Sequence, residues 1–200
     1  MTKQFSLTWD YRCPFARNAH EHVLDALEAG ADWDVTFVPF SLDQAHVQDG
    51  DPSVWDQPEK VPNLLAGEVG IVVRDRYPDQ FLAAHRGLFS ARHDLAGDLR
   101  EREVVAAALD SAGLDATTVL KEVDEGWARE TYRKEHLAAV SEYAVFGVPT
   151  FVIADQAAFV LLMNRPNGDA QASIDTVEGI LDLLEGRPEI NELKHTRIPK

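Results

Sequence analysis

Trp9-Asp10-Tyr11-Arg12-Cys13-Pro14-Phe15-Ala16 holds the single cysteine of the 200-residue chain. Upstream, Phe5-Ser6-Leu7-Thr8-Trp9 alternates apolar and polar residues at the period of a half-buried strand. Downstream, Ala16, Ala19, Val23, Leu24 and Leu27 fall on one stripe of an amphipathic helix that Gly30 closes. Pro14 suits the first helical position, where its missing N–H costs nothing. Cys13 therefore falls at or next to the helix N-cap, where unpaired N–H groups and the helix dipole favour an anion. A thiolate is such an anion, and Arg12 adds a neighbouring positive charge. A lone cysteine is commonly a small buried hydrophobe. The strand–Cys-Pro–helix placement favours a reactive thiol instead.

Two hundred residues suit one domain, or one domain with a sizeable insertion. Hydrophobic residues make up 45% of the chain and charged residues 26%, which describes a soluble globular protein with an ordinary core. The net charge of −15 argues against nucleic acid or an anionic membrane surface as partner. No window approaches the roughly 20 apolar residues of a membrane span, and Met-Thr-Lys leads directly into the first strand without a visible signal peptide. One cysteine excludes an internal disulfide, so the cytoplasm is the expected compartment.

Trp33-Asp34-Val35-Thr36-Phe37-Val38 reads as a second strand, completing strand–helix–strand with a helix long enough for a parallel crossover. Residues 41–63, rich in Asp and Pro, read as a surface loop opening an insertion. From 64 to 146 the periodicity is helical. Leu65, Val69, Val72 and Val73 share a face, although Gly67 and Gly70 weaken that helix. Pro78 opens a helix bearing Phe81, Leu82, His85, Leu88 and Phe89. Another carries Val104, Val105, Ala108 and Leu109, and Asp115 caps a short one. The last, from about Trp127 toward Gly147, places Leu137, Val140 and Ala144 on its apolar side. Pro149-Thr150-Phe151-Val152-Ile153 is a strand, Ala154 to Ala157 a hairpin turn, and Ala158 to Met163 an antiparallel return. Ile174, Val177, Ile180, Leu181 and Leu184 mark the final helix, and residues 189–200 a loosely packed tail.

Cys13-Pro14-Phe15-Ala16 at the first strand–helix junction and Phe146-Gly147-Val148-Pro149-Thr150-Phe151 before the third strand together resemble the thioredoxin superfamily. The resemblance spans the chain and is closest to the DsbA-like branch, which carries a helical insertion and includes DsbA, FrnE-like proteins, 2-hydroxychromene-2-carboxylate isomerase and kappa-class glutathione transferases. It implies an α/β thioredoxin fold, β-α-β then β-β-α, formed by residues 1–42 and 147–200, with an all-helical insertion over 43–146. It also implies that Pro149 is cis and faces Cys13. The backbone of Val148 is then free to pair with an extended ligand; the family-blind alternative is a trans proline opening a strand.

Ala16 stands where thiol oxidoreductases of this group usually place a second cysteine, so dithiol oxidation of a protein is excluded. Two chemistries remain. Cys13 attacks a mixed disulfide and is regenerated by a low-molecular-weight thiol of the glutathione or mycothiol type. Alternatively, the protein activates a bound thiol cofactor, as the isomerase and transferase relatives do, usually with serine at the position of Cys13. A non-catalytic binding module is the third reading. No tightly bound cofactor is expected, the partner is a small thiol or thiol adduct, and the relatives allow a homodimer.

Arg12, Pro14 and Phe15 adjoin the thiol, and with Val148, Pro149 and Arg165 they form the expected ligand-binding set around the catalytic Cys13. Arg165 suits the carboxylates of a tripeptide-like thiol or the groups of a sugar thiol. Trp9, Tyr11 and Phe40 read equally as an aromatic rim or as core edge. Phe89-Ser90-Ala91-Arg92-His93-Asp94 reads as a cleft-facing run or as a fraying helix end. His20 and His22 point to different helix faces, and His85 and His93 are two turns apart, so no metal site is expected. His20, seven residues after Cys13 on the same helix, reads either as facing the thiol or, more commonly for such a residue, as a solvated or core-edge histidine.

Overall fold

The computed structural model describes residues 2–197. In β1 (Lys3–Trp9), Phe5, Leu7 and Trp9 recur every second residue and are buried. α1 (Pro14–Glu28) buries Ala16, Ala19, His20, Val23 and Leu24, and its chain reverses through Gly30 at φ +88°. β2 (Trp33–Pro39) then lies parallel to β1, Leu7 opposite Phe37 and Trp9 opposite Pro39. After the insertion, β3 (Thr150–Ile153) runs antiparallel to β1, Phe151 opposite Leu7, and β4 (Gln156–Phe159) antiparallel to β3. The order β2-β1-β3-β4 leaves β1 central, with α8 (Ala170–Gly186) lying along α1. Leu7, Leu24, Phe151 and Leu181 are fully buried, each contributing about 1.5–3 kcal/mol to burial of apolar surface.

The insertion begins with α2 (Leu42–Ala45) and two single 3-10 turns (Val54–Asp56, Pro58–Lys60). It continues as α3 (Val61–Arg76), α4 (Pro78–His93), α5 (Arg102–Ser111), α6 (Ala116–Asp124) and α7 (Trp127–Tyr143). Residues 64–73 of α3 are buried without a break, as befits a helix surrounded by its neighbours. Its two weakening glycines have a packing role. A Cβ at Gly67 would lie 2.3 Å from the Tyr132 ring, and one at Gly70 2.5 Å from the Tyr11 hydroxyl. Two tyrosines therefore rest directly on the α3 backbone.

Four expectations are corrected. α7 buries Ala128, Tyr132, His136 and Ala139, leaving Leu137 and Val140 48% and 42% exposed, because Tyr132 packs on Gly67 and the His136 ring lies 4.3 Å from that of Phe40. It also stops at Tyr143, where Ala144 turns left-handed at φ +52°. The hairpin turns in two residues, Ala154 and Asp155, so the return strand starts at Gln156 and ends at Phe159. Beyond it, the Leu162 carbonyl accepts a hydrogen bond from Asn18 of α1 at 2.8 Å. Residues 41–63, read as a loop, contain the short turns of helix named above; the tail is exposed, and residues 198–200 lie outside the described part.

Candidate active site

The loop between β1 and α1 is built around one carboxylate. Asp10, 4% exposed, accepts from the Arg12 N–H at 2.9 Å, from Arg12 Nε at 3.2 Å and Nη2 at 2.9 Å, and from the Leu42 N–H at 3.0 Å. Its own carbonyl accepts the Cys13 N–H at 3.0 Å. Arg12 Nη1 also reaches Asp43 at 2.9 Å. One acid thus closes the turn ahead of Cys13 and ties it to α2.

Cys13 is the N-cap of α1, its sulfur accepting the Ala16 N–H at 3.4 Å. The thiol donates to the Val148 carbonyl at 3.4 Å, bridging residues 135 apart in the chain. At 9% exposure, burial pushes the thiol up from its ordinary pKa. The Ala16 and Phe15 N–H groups pull the other way, and Asp10 pushes it further up. Thiolate stabilisation by Arg12 is corrected: the guanidinium is committed to Asp10 and Asp43, and the resting group is a thiol.

Val148 is held from the opposite side. The Val148–Pro149 peptide is cis. The Thr150 N–H donates to Thr8 Oγ1 and the Thr150 hydroxyl to the Gly147 carbonyl, both at 2.8 Å, so β1 and the 147–150 loop are joined by two threonines. Phe146, 70% exposed, packs on Phe159 at 5.2 Å beside this loop.

Beneath the loop runs a buried hydrogen-bond chain. His20 Nε2 lies 3.0 Å from the Thr8 carbonyl, His85 Nε2 lies 2.9 Å from His20 Nδ1, and the Tyr11 hydroxyl lies 2.7 Å from His85 Nδ1. A carbonyl only accepts, so neutral His20 donates from Nε2 and accepts at Nδ1. His85 then donates from Nε2 and accepts from Tyr11. Burial holds His20 down at about 4 and His85 well below its ordinary value, which keeps both rings neutral. His93 Nε2 binds the Tyr11 carbonyl at 3.0 Å, securing the same loop from the end of α4.

The structure brings Cys13, Pro14, Val148 and Pro149 together and keeps Phe15 half-buried at the start of α1. It does not bring Arg165 into position for a ligand. Arg165 is held by Glu21 at 2.6 and 2.8 Å and by Asp94 at 3.0 Å, with Arg17 sharing Asp94. Trp9, Tyr11 and Phe40 are core rather than rim, and His20 is wholly buried. From the run 89–94, Phe89 packs on Tyr11, His93 binds the Tyr11 carbonyl and Arg92 lines a cavity. Sequence reading missed Asp10, Thr8, Thr150 and the histidine chain. The signals were an acid two residues before Arg12 and a threonine directly after Pro149. Among the described residues no cluster of three or more His, Cys, Asp or Glu is arranged to hold a metal, and no helix is long and apolar enough to cross a membrane.

Fold and site define a thioredoxin-fold protein with one cysteine at the head of α1, facing a cis-proline loop. The DSBA-like thioredoxin domain matches residues 7–165, and the chain belongs to that family. No curated protein matches the chain. Among solved structures it is similar to 2-hydroxychromene-2-carboxylate isomerase, with 15% identity, 92% of this chain and 98% of that one covered, and a TM-score of 0.63. It is also similar to reduced DsbA1 from Neisseria meningitidis, with 14% identity, 94% and 87% covered, and a TM-score of 0.61. A single-substitution variant of DsbA from Pseudomonas aeruginosa gives 18% identity, 94% and 89% covered, and a TM-score of 0.59. At these identities the likeness is one of fold.

Proposed function

We propose that the protein is a thiol–disulfide oxidoreductase working through Cys13 alone, with a low-molecular-weight thiol as co-substrate. The observation that carries this reading is the placement of Cys13 Sγ between the Ala16 N–H and the Val148 carbonyl, at the junction of α1 and the cis-proline loop. Deprotonated Cys13 attacks one sulfur of a disulfide; the new S–S bond forms as the old one breaks, and the departing thiolate takes a proton from solvent. A second small thiol, as thiolate, attacks the mixed disulfide, Cys13 leaves and is reprotonated, and a new small disulfide departs. Electrons balance across the two exchanges, and Ala16 takes no part. The test is intact mass of the protein with glutathione disulfide, followed by turnover with reduced glutathione. Cys13 should gain one glutathione and lose it again, and Cys13→Ser should do neither. An unreactive Cys13 would sink the proposal.

One observation favours a second reading. Burial holds Cys13 as a hydrogen-bearing thiol, and such a group serves as a donor to the thiolate of a bound cofactor. The protein is then an isomerase or transferase in which Cys13 orients the cofactor sulfur. Turnover that survives Cys13→Ser separates this reading from the first.

A further inference from the structure

A cavity of about 330 Å³ lies between the β1–α1 loop, α3, the end of α4 with the segment following it, and α7, and its lining includes Asp10, Tyr11 and Arg12, the residues that lead into Cys13. Tyr132, seated on Gly67, lines it together with Asn63 and Arg12. Arg92 and Arg100 reach in from the exposed rim. Arg12 is neutralised by Asp10 and Asp43, and Arg100 grips both oxygens of Asp98 at 2.6–3.0 Å. Arg92 is different. Among the described residues it makes no ion pair, and its one hydrogen bond, at 3.4 Å, goes to the Gly97 carbonyl. Asp98, the lining carboxylate whose titration Arg92 influences, is already occupied by Arg100. Arg12 with Asp10 and Asp43, and Arg100 with Asp98, are thus spoken for, which leaves Arg92 as the lining guanidinium without a carboxylate partner among the described residues.

We propose that this cavity binds the carboxylate of a small organic molecule through Arg92, and so selects carboxylate-bearing thiols or disulfides for Cys13. The proposal rests on reading Cys13 as the reacting thiol, and it moves carboxylate recognition from Arg165, which is paired with Glu21 and Asp94, to Arg92. Guanidinium matches carboxylate in a planar two-point contact, and Arg12 and Arg100 share the lining while paired with their own aspartates. Asn63, also in the lining, donates to Asp43 at 2.6 Å. The apolar faces of Tyr132 and Leu99 take the carbon skeleton of the ligand. The carboxylate belongs either to the small thiol or to the disulfide it helps to reduce.

The test compares two disulfides in stopped-flow reaction with the reduced protein: 5,5′-dithiobis(2-nitrobenzoate), which carries two carboxylates, and 2,2′-dithiodipyridine, which carries none. Arg92→Gln should lower the rate constant for the first about tenfold, the worth of one charge-assisted contact, and change the second less than about twofold. Arg187→Gln, at a surface arginine whose side chain, among the described residues, hydrogen-bonds the neighbouring Gly186 carbonyl alone, controls for net charge. A second arm titrates Cys13→Ser protein with S-methylglutathione and with its diethyl ester. Binding of the free acid alone, weakened by Arg92→Gln, assigns the carboxylate to the thiol. A rate effect without that binding assigns it to the acceptor disulfide. Equal effects of Arg92→Gln on both disulfides, or no more than Arg187→Gln produces, together with no binding of the free acid, overturn the proposal. Cys13 inert to both disulfides would refute the nucleophile reading, while the titration still decides the cavity.

Discussion

Cys13 and Val148 meet at 3.4 Å, sulfur to carbonyl oxygen, across a separation of 135 residues. That contact holds the hydrogen on sulfur, because a thiolate there would face an acceptor with nothing to donate. The α1 N-terminus opposes this through the Ala16 and Phe15 N–H groups, and burial outweighs it.

Alkylation of Cys13 should therefore follow a pH profile whose midpoint lies above that of an ordinary free thiol. Mass-spectrometric rates with iodoacetamide across pH 6–11 measure it directly, since the chain has no other cysteine. A midpoint below neutrality would contradict the dominance of burial.

Asp10 should be the least replaceable residue of the loop. Asp10→Ala leaves the Leu42 N–H and the Arg12 guanidinium without their acceptor. Arg12 keeps its contact with Asp43 and can reach water, so the expected loss is ~2–3 kcal/mol by urea unfolding. A loss under about 0.5 kcal/mol, the range of ordinary surface changes, would show that the loop does not depend on it.

Stability should be nearly level around pH 7.5, about one unit above the ordinary histidine pKa, and fall as the solution is acidified toward about pH 4. His20 and His85 are neutral when folded and bind protons when unfolded, so the unfolded chain gains protons first. Each buried ring contributes a slope of up to about 1.4 kcal/mol per pH unit in that window, and His136, held down at about 4, adds to it. Urea midpoints at four pH values measure the slope. His85→Phe should flatten it while lowering stability at pH 7.5, because Tyr11 loses its acceptor. An unchanged slope would exclude His85 as a contributor.

Two glycines should respond oppositely to alanine. Gly179, inside α8, has open space around its Cβ position, so Gly179→Ala should stabilise by ~0.5–1 kcal/mol through helix propensity. Gly70→Ala gains the same propensity but drives a methyl to 2.5 Å from the Tyr11 oxygen, so it should lower Tm. Thermal unfolding of both variants checks the pair, and a stabilised Gly70→Ala would mean that Tyr11 yields freely.

The sequence by itself determined the main strands and helices of the β-α-β and β-β-α halves and the place of the thiol, but not the short turns of 41–63 or the ends of α7 and β4. Alternation over residues 5–9, Pro14 after Cys13 and Gly30 at the helix end are local signals, because strand period, N-cap and C-cap are set within a few residues. Only the tertiary structure decided the electrostatics around that thiol. Arg12 lies one residue from Cys13 yet serves Asp10 and Asp43, and Arg165 serves Glu21, 144 residues away. The same holds for α7, whose exposed Leu137 and Val140 look like core until Tyr132 is seen to need Gly67. His20, ambiguous on its own helix, becomes a buried donor only once His85 and Thr8 arrive from other elements. Charges and polar hydrogens are assigned by whichever partner the fold brings within about 3 Å, and burial then decides whether a thiol or an imidazole can carry charge.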